Sequence, residues 1–301
     1  MTEHTATITQ TAETAQASER RSGRERWRFA ASRRWFGYLA LLVAFGIACG
    51  FLSHWQFDRR EEKVEANARI TNNFDRDPQP LADVLPAPGD FAPDQEWTPV
   101  VMHGSYLPGD QLLARARPFD GRPGFEILTP FRGDDGRILV VDRGWLPVGS
   151  AQDAPDSVPA PPAGQVSVVA RLRPGEPEIP GRSAPAGQIA TINLPTFAET
   201  LGPQTYTAAY GLLSAEQPSA ETGQLAPKPA LDEGNHLSYA FQWIIFALIG
   251  LAGLVWGVWN EYRHRNADDP RVVEAMERAK ARRARKRTDA DIEDELLDAR
   301  R

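Results

Sequence analysis

The sequence predicts an α+β membrane protein, in which two transmembrane helices flank an extracytoplasmic, mainly antiparallel β domain built as a small sheet or partial barrel. Three observations predict it. Two stretches, Trp35 to Phe57 and Asn235 to Asn260, hold neither a charged residue nor a proline. Each is about as long as the ~20 residues a helix needs to cross a ~30 Å hydrocarbon core. Arginine crowds the outer flanks of both stretches, while their inner flanks are balanced or acidic. Between them lie short β-rich runs punctuated by Pro, Gly and Asp. The 301 residues suffice for one sizeable domain plus two spans. Apolar content is an ordinary 42%, because polar tails dilute the two spans, so bulk composition alone conceals them.

Residues 1–32 read as a disordered cytoplasmic basic tail. Its first part is rich in Thr, Ala, Glu and Gln without apolar periodicity. Arg20, Arg21, Arg24, Arg26, Arg28, Arg33 and Arg34 then face only Glu19 and Glu25. Beside a span, such a cluster sets topology or touches anionic lipid, and no nucleic acid is expected as a partner. The first span, residues 33–57, is too long for a signal-peptide core. It ends Ser53-His54-Trp55-Gln56-Phe57, without a small-residue cleavage site. Cys49, the one cysteine, lies inside it, which excludes a disulfide framework, a CxxC redox pair or a cysteine-ligated metal centre within one chain.

The β domain is assigned to residues 58–234, with Glu61 to Asn73 extending the first helix outward before a run of prolines. Thr98 to Leu107 is a strand closed by Pro108-Gly109-Asp110, and Gln111 to Phe119 is a second. Phe125 to Phe131 and Arg137 to Pro147 form a hairpin, because Gly133-Asp134-Asp135-Gly136 supplies the positive φ of a tight turn. Ala151 to Gly164 is an exposed Pro/Ala/Gly loop, and Val166 to Leu172 alternates as a strand. A short strand is expected over Gln188 to Leu194, a helical turn or two over Pro195 to Leu201, and a last strand over Thr205 to Leu213. Six or seven short strands of this kind suit an antiparallel sheet or partial barrel better than a βαβ sheet. Residues 235–260 form the second span, and 261–301 a charged cytoplasmic tail with Val272 to Arg287 helical. The positive-inside rule puts both termini in the cytoplasm.

Hydrolytic chemistry finds little support, and no catalytic residue is assigned. The chain lacks a Gly-x-Ser-x-Gly elbow, an HExxH pair and a phosphate loop. His103 reads as a surface or edge residue, and Asp134-Asp135 as turn chemistry. The membrane-edge histidines are more informative. His54 and His236 fall at the same depth, and neutral imidazole is an axial ligand for haem iron. Trp55, Tyr239, Phe241 and Trp243 supply aromatic surroundings, although His, Trp and Tyr also compose an ordinary interfacial belt. Tyr239, Trp243 and Phe246 share one helix stripe, and Gly253 and Gly257 offer the GxxxG spacing of close helix contact.

Four stretches together resemble the SURF1 family: Trp55-Gln56-x-x-Arg59-Arg60; Gly124-Phe125-x-Ile127-Leu128-Thr129-Pro130; Val140-Val141-Asp142-Arg143-Gly144-Trp145-Leu146-Pro147; and Asn235-His236-Leu237-Ser238-Tyr239-Ala240-x-Gln242-Trp243. Their order and the two-span arrangement match over about residues 33–262. The resemblance implies a non-enzymatic assembly factor for aa3-type cytochrome c oxidase, assisting haem a placement in the catalytic subunit. Its partners would be that subunit, the haem a synthesis machinery and the lipid bilayer. It implies His236 as ligand to the haem iron, and the aromatic residues Tyr239 and Trp243 would then line the cofactor. His54 departs from the family pattern and is either a second ligand or interfacial. Arg59 and Arg60 would pair with haem propionates or with lipid phosphate. Arg143 and Trp145 are either an exposed pair that stacks on haem or a partner, or internal packing. A haem-free scaffolding chaperone of the same oxidase and a membrane-tethered extracytoplasmic enzyme remain the alternatives. The excess of Arg over Lys, with abundant Ala and Pro, points to a bacterial plasma membrane.

Overall fold

A computed structural model describes residues 23–150, 153–267 and 269–285. The chain divides into two compact units, one of residues 60–234 and one that combines its two ends, up to residue 59 and from residue 235. The residues before 23, expected as a disordered tail, lie outside the described ones.

The unit made of the two ends is built on a pair of long helices. After a short helix α1 (Gly23–Arg26) and one 3₁₀ turn at Arg28–Ala31, α2 runs from Arg33 to Asn73 and α5 from His236 to Arg265. Both are long and apolar enough to cross a membrane, and the apolar windows are almost entirely exposed. Many of their covered positions recur at alternating spacings of three and four: Leu42, Gly46, Cys49, Ser53 and Gln56 on α2, and His236, Ala240, Trp243, Ala247, Gly250, Leu254 and Gly257 on α5. That heptad-like period keeps one seam facing an antiparallel partner. Trp35 meets Gly257, Leu42 meets Gly250, and the Ser53 hydroxyl donates to the Ala240 carbonyl at 3.1 Å. The glycines at the seam are therefore Gly250 and Gly257, one heptad apart. Gly253 of the expected GxxxG pair faces open space.

Residues 23–31 are not the featureless tail that their arginines suggested. Trp27 stacks on Tyr262 at 4.6 Å between centroids, and Arg265 lies over the Phe29 ring at 5.5 Å. These aromatic anchors are what orders the segment. Arg26 and Arg34 reach across to Asp269 and Glu261. The chain then enters α6 (Pro270–Arg285).

The second unit is an eight-stranded sheet, with strands β1 (Gln79–Pro80), β2 (Pro99–Tyr106), β3 (Leu112–Phe119), β4 (Arg122–Gly133), β5 (Ile138–Pro147), β6 (Val166–Pro174), β7 (Gln188–Ile189) and β8 (Ala209–Gln217). Five of them close on themselves in the order β2-β6-β8-β5-β4 and back to β2, giving a small barrel whose neighbours are antiparallel except for β5 and β8. The long strand β4 makes closure possible, because its last residues Phe131 to Gly133 pair with β2 beyond the stretch paired with β3, while Gly124 to Arg132 pair with β5. Strand β3 extends the barrel from β4, with the two-residue β7 beyond it, and β1 lies beside β2.

Strand β5 shows how the residues dictate this arrangement. Leu139 and Val141 enter the barrel core with Val100, Met102, Phe131 and Leu172, whereas Val140 points to the other face. There it joins Leu128, Ile192 and Phe197 under the short helix α4 (Leu194–Leu201). Both faces are covered, so the run Ile138 to Trp145 is buried without interruption. The β4–β5 turn has Gly136 at φ +83°, and Asp135 accepts the Arg137 N–H at 3.0 Å.

Strand β4 runs beyond the expected Phe125–Phe131 to span Arg122–Gly133, and two later strands differ more. Only Gln188 and Ile189 pair as strand, because Asn193 caps the helix that follows by accepting from the Thr196 N–H. The last strand starts at Ala209 and continues to Gln217, while Tyr206 is drawn aside to donate its hydroxyl to the Leu85 carbonyl at 3.0 Å. The two-residue β1, broken by prolines, was not anticipated.

Candidate functional site

His236 opens α5, with Asn235 at its N-cap. Its covered position on the helix seam brings Nδ1 to 2.9 Å from Oε1 of Gln56 on α2. With an oxygen opposite Nδ1, the neutral ring carries its one proton there and keeps the Nε2 lone pair. This is how second-sphere partners orient a metal-binding imidazole. The ring is half-buried.

Around it the helix presents aromatic surface. Tyr239 is 50% exposed, Trp243 is half-buried and packs edge-on to Phe246 at 5.8 Å, and Phe241 meets Phe57 of α2 edge-on at 6.1 Å. Tyr239 and Trp243 follow His236 by three and seven residues, so all three share a face. A neutral imidazole with a free Nε2 beside aromatic rings suits an apolar, planar, metal-bearing ligand.

The remaining anticipated residues are placed differently. His54 lies off the helix seam, with 78% of its side chain exposed, and pairs one turn on with Asp58 at 3.3 Å. Arg60 forms an exposed ion pair with Glu233 at 3.0 Å. Arg59 is exposed at its position on α2. His103 is an exposed strand residue. Among the described residues, no group of three or more His, Cys, Asp or Glu is arranged to hold a metal ion. Gln56 is the site residue that the sequence signalled least: it was visible only as part of Trp55-Gln56, and its role needed the register of two distant helices.

The third motif is structural. Arg143 is fully buried, which removes the possibility of an exposed Arg143–Trp145 pair stacking on a ligand. Its Nη2 donates to Glu216 Oε1 at 2.8 Å and to the Glu221 carbonyl at 3.0 Å, and its guanidinium lies 5.3 Å from the centre of the Tyr106 ring. The Tyr106 hydroxyl donates to Glu216 Oε2 at 2.7 Å, completing a satisfied network at the end of the barrel. Burial and that carboxylate push the Tyr106 hydroxyl far above its usual range.

Trp145 is also enclosed, stacked on Phe119 with its Nε1 donating to the Arg117 carbonyl at 2.9 Å. The register shifts here because Arg143 and Gly144 bulge between the pairs Asp142–Leu128 and Trp145–Glu126. Gly144 takes φ +106°, and a Cβ there would meet the Gly223 backbone at 2.6 Å. The second motif fits against this bulge, since a Cβ on Gly124 would fall 2.3 Å from the Trp145 indole. Asp142 completes the turn by accepting the Gly144 N–H at 2.9 Å. Burial pushes its carboxyl up to about 8, reinforced by the nearby Glu126 and opposed by that N–H.

All four motifs lie within one stretch that matches a known family. The SURF1 family model matches residues 43–248. An uncharacterised SURF1-like protein of Mycobacterium bovis is 34% identical over 239 residues, covering 78% of this chain and 87% of its own length. A SURF1-like protein of Monosiga brevicollis is 30% identical over 155 residues, covering 48% of this chain and 56% of its own. A cytochrome oxidase assembly protein of Saccharomyces cerevisiae is 29% identical over 146 residues, 45% of this chain and 36% of its own length. Helix pair, interlocked barrel motifs and sequence match agree, and the chain belongs to the SURF1 family.

Proposed function

We propose that this protein is a non-enzymatic assembly factor for an aa3-type cytochrome c oxidase, handling haem a on its way into the catalytic subunit. Family membership and the assembly role named for the yeast relative support the first half of this reading. In it, α2 and α5 span a bacterial plasma membrane with both termini cytoplasmic, and the barrel lies on the opposite side. The length and apolarity of the two helices and the arginine-rich outer flanks support that orientation. The partners are the oxidase catalytic subunit and the haem a synthesis machinery.

The observation that carries the haem assignment is the Gln56–His236 hydrogen bond. Haem iron takes neutral imidazole as an axial ligand. Gln56 fixes the tautomer that keeps Nε2 available, and the Tyr239 and Trp243 rings provide an apolar wall for a macrocycle. A single imidazole on a partly open face suits loading and release better than permanent storage. A haem-free scaffold is the second reading, favoured by one fact: the same hydrogen bond joins two helices, which is a structural task in itself.

The test is co-expression with haem a synthesis, purification in detergent, and absorption spectra of the wild type and His236→Ala. A stoichiometric haem a band lost in the variant is the expected result. A colourless protein that still copurifies with the oxidase catalytic subunit leaves the scaffold.

A further inference from the structure

The matched family segment ends at residue 248, yet the chain continues into an ordered element. Helix α6 (Pro270–Arg285) begins at Pro270 directly after Asp269, whose side chain takes a 2.8 Å bond from Arg26. Its sequence is amphipathic and cationic. Val273 and Met276 stand on its surface at 41% and 48% exposure. The sequence carries Arg271, Arg278, Lys280, Arg282, Arg283 and Arg285 against only Glu274 and Glu277, and the Glu274 charge is already taken by Arg278.

Between α6 and the end of α5 lies a cleft of about 690 Å³. Trp259, Val273 and Met276 give it apolar walls, Arg263 and Lys280 bring cationic groups to it beside the His264 ring, and Glu277 is the acidic residue. Arg263 Nε is buried and has no hydrogen-bond partner among the described residues. A buried guanidinium N–H without an acceptor costs free energy, and phosphate is the acceptor that its fork geometry matches.

We propose that this cleft binds an anionic phospholipid, with the headgroup phosphate on Arg263 and the acyl carbons along Trp259, Val273 and Met276. This rests on the reading that α5 spans the membrane with its C-terminal end cytoplasmic. An exposed apolar stripe flanked by cations, immediately after a membrane-length helix, is the pattern of a helix lying in a lipid interface. Lys and Arg side chains near an anionic cytoplasmic leaflet are attracted to it. Lys280, at the cleft, and Arg282 are both exposed on α6. The Arg26–Asp269 pair ties the start of α6 to a segment that Trp27 anchors on Tyr262 of α5.

The experiment uses the full chain in nanodiscs of phosphatidylcholine, with or without phosphatidylglycerol, and a polarity-sensitive fluorophore on Met276→Cys in a Cys49→Ser background. Blue-shifted emission, protected from acrylamide, is expected only with phosphatidylglycerol. Arg263→Ala, and independently the exposed Lys280→Glu, should raise the phosphatidylglycerol fraction needed by at least threefold. Identical emission in both discs, with the chain still resisting alkaline extraction, overturns the lipid site alone. Extraction of the chain by alkali overturns the spanning reading and the site with it.

Discussion

Nδ1 of His236 lies 2.9 Å from Oε1 of Gln56, and the two residues are 180 positions apart in the chain. This bond joins the first and last family motifs and decides which nitrogen of the imidazole stays free. Gln56→Leu removes the acceptor without adding charge. Bound haem a per protein should fall about tenfold, the size typical of losing an orienting partner. Gln56→Glu, which still accepts from Nδ1, should retain most of it. Haem content equal to wild type in Gln56→Leu would count against an orienting role.

Register along the helix pair can be read by cross-linking. Gln56→Cys with His236→Cys, in a Cys49→Ser background, should be joined within one chain by a short thiol-specific cross-linker. Gly257→Leu should reduce the cross-linking yield strongly, because a Cβ at that position already lies 3.3 Å from the rigid Trp35 ring. Gly253→Leu should not, since nothing lies within 4 Å of a Cβ there. Equal yields for the two leucine variants would contradict the seam described.

The Arg143–Glu216 pair should behave as a buried couple. Arg143→Ala leaves the Glu216 carboxylate enclosed without its cation, a loss of about 3–5 kcal/mol. Arg143→Met with Glu216→Leu removes both charges and should cost clearly less than the two single changes summed. Chemical denaturation followed by tryptophan fluorescence measures Arg143→Ala, Arg143→Met, Glu216→Leu and the double variant. Additive costs would mean that the two side chains do not depend on each other.

Asp142 predicts a pH effect of defined sign. Its folded carboxyl is raised to about 8, so the folded protein holds a proton that the unfolded chain releases near pH ~4. The stability from that protonated group is complete below the unfolded pKa and is lost as pH rises toward about 8. Asp142→Asn keeps an oxygen for the Gly144 N–H and has no proton to lose. Between pH 5 and 8 the wild type should lose stability relative to this variant, by no more than about 1.4 kcal/mol per pH unit. Parallel melting curves across that range would refute the assignment.

Much of this was legible in the sequence, for physical reasons. Charge-free runs of membrane length announce helices regardless of context, and Asp-Gly or Pro-Gly punctuation fixed most of the strands. What stayed hidden depends on tertiary contact. Arg143 reads as a surface residue because buried guanidinium is rare, and only Glu216 and Tyr106, brought up by other strands, make its burial tolerable. The strand Ala209–Gln217 ends in polar residues that a local pattern would leave to a loop. Gly250 emerged as a seam residue over Gly253 only through the three-and-four spacing of its neighbours. Of the site, His236, Tyr239 and Trp243 were visible as residue types, whereas the choice of Gln56 over His54 as the companion of His236 was not.

The placement of β8 between β6 and β5 has a consequence for how the molecule is made. Strands β5 and β6 are consecutive in sequence but cannot pair, because each must wait for a strand that ends at Gln217. At ordinary synthesis rates the interval from Pro147 to Gln217 lasts on the order of 10 s. During it two apolar edges stand open while the first long helix has already emerged. Any chain ended before Ala209 would keep those edges permanently, so loss of the last strand should yield an aggregating product and not a weakened barrel.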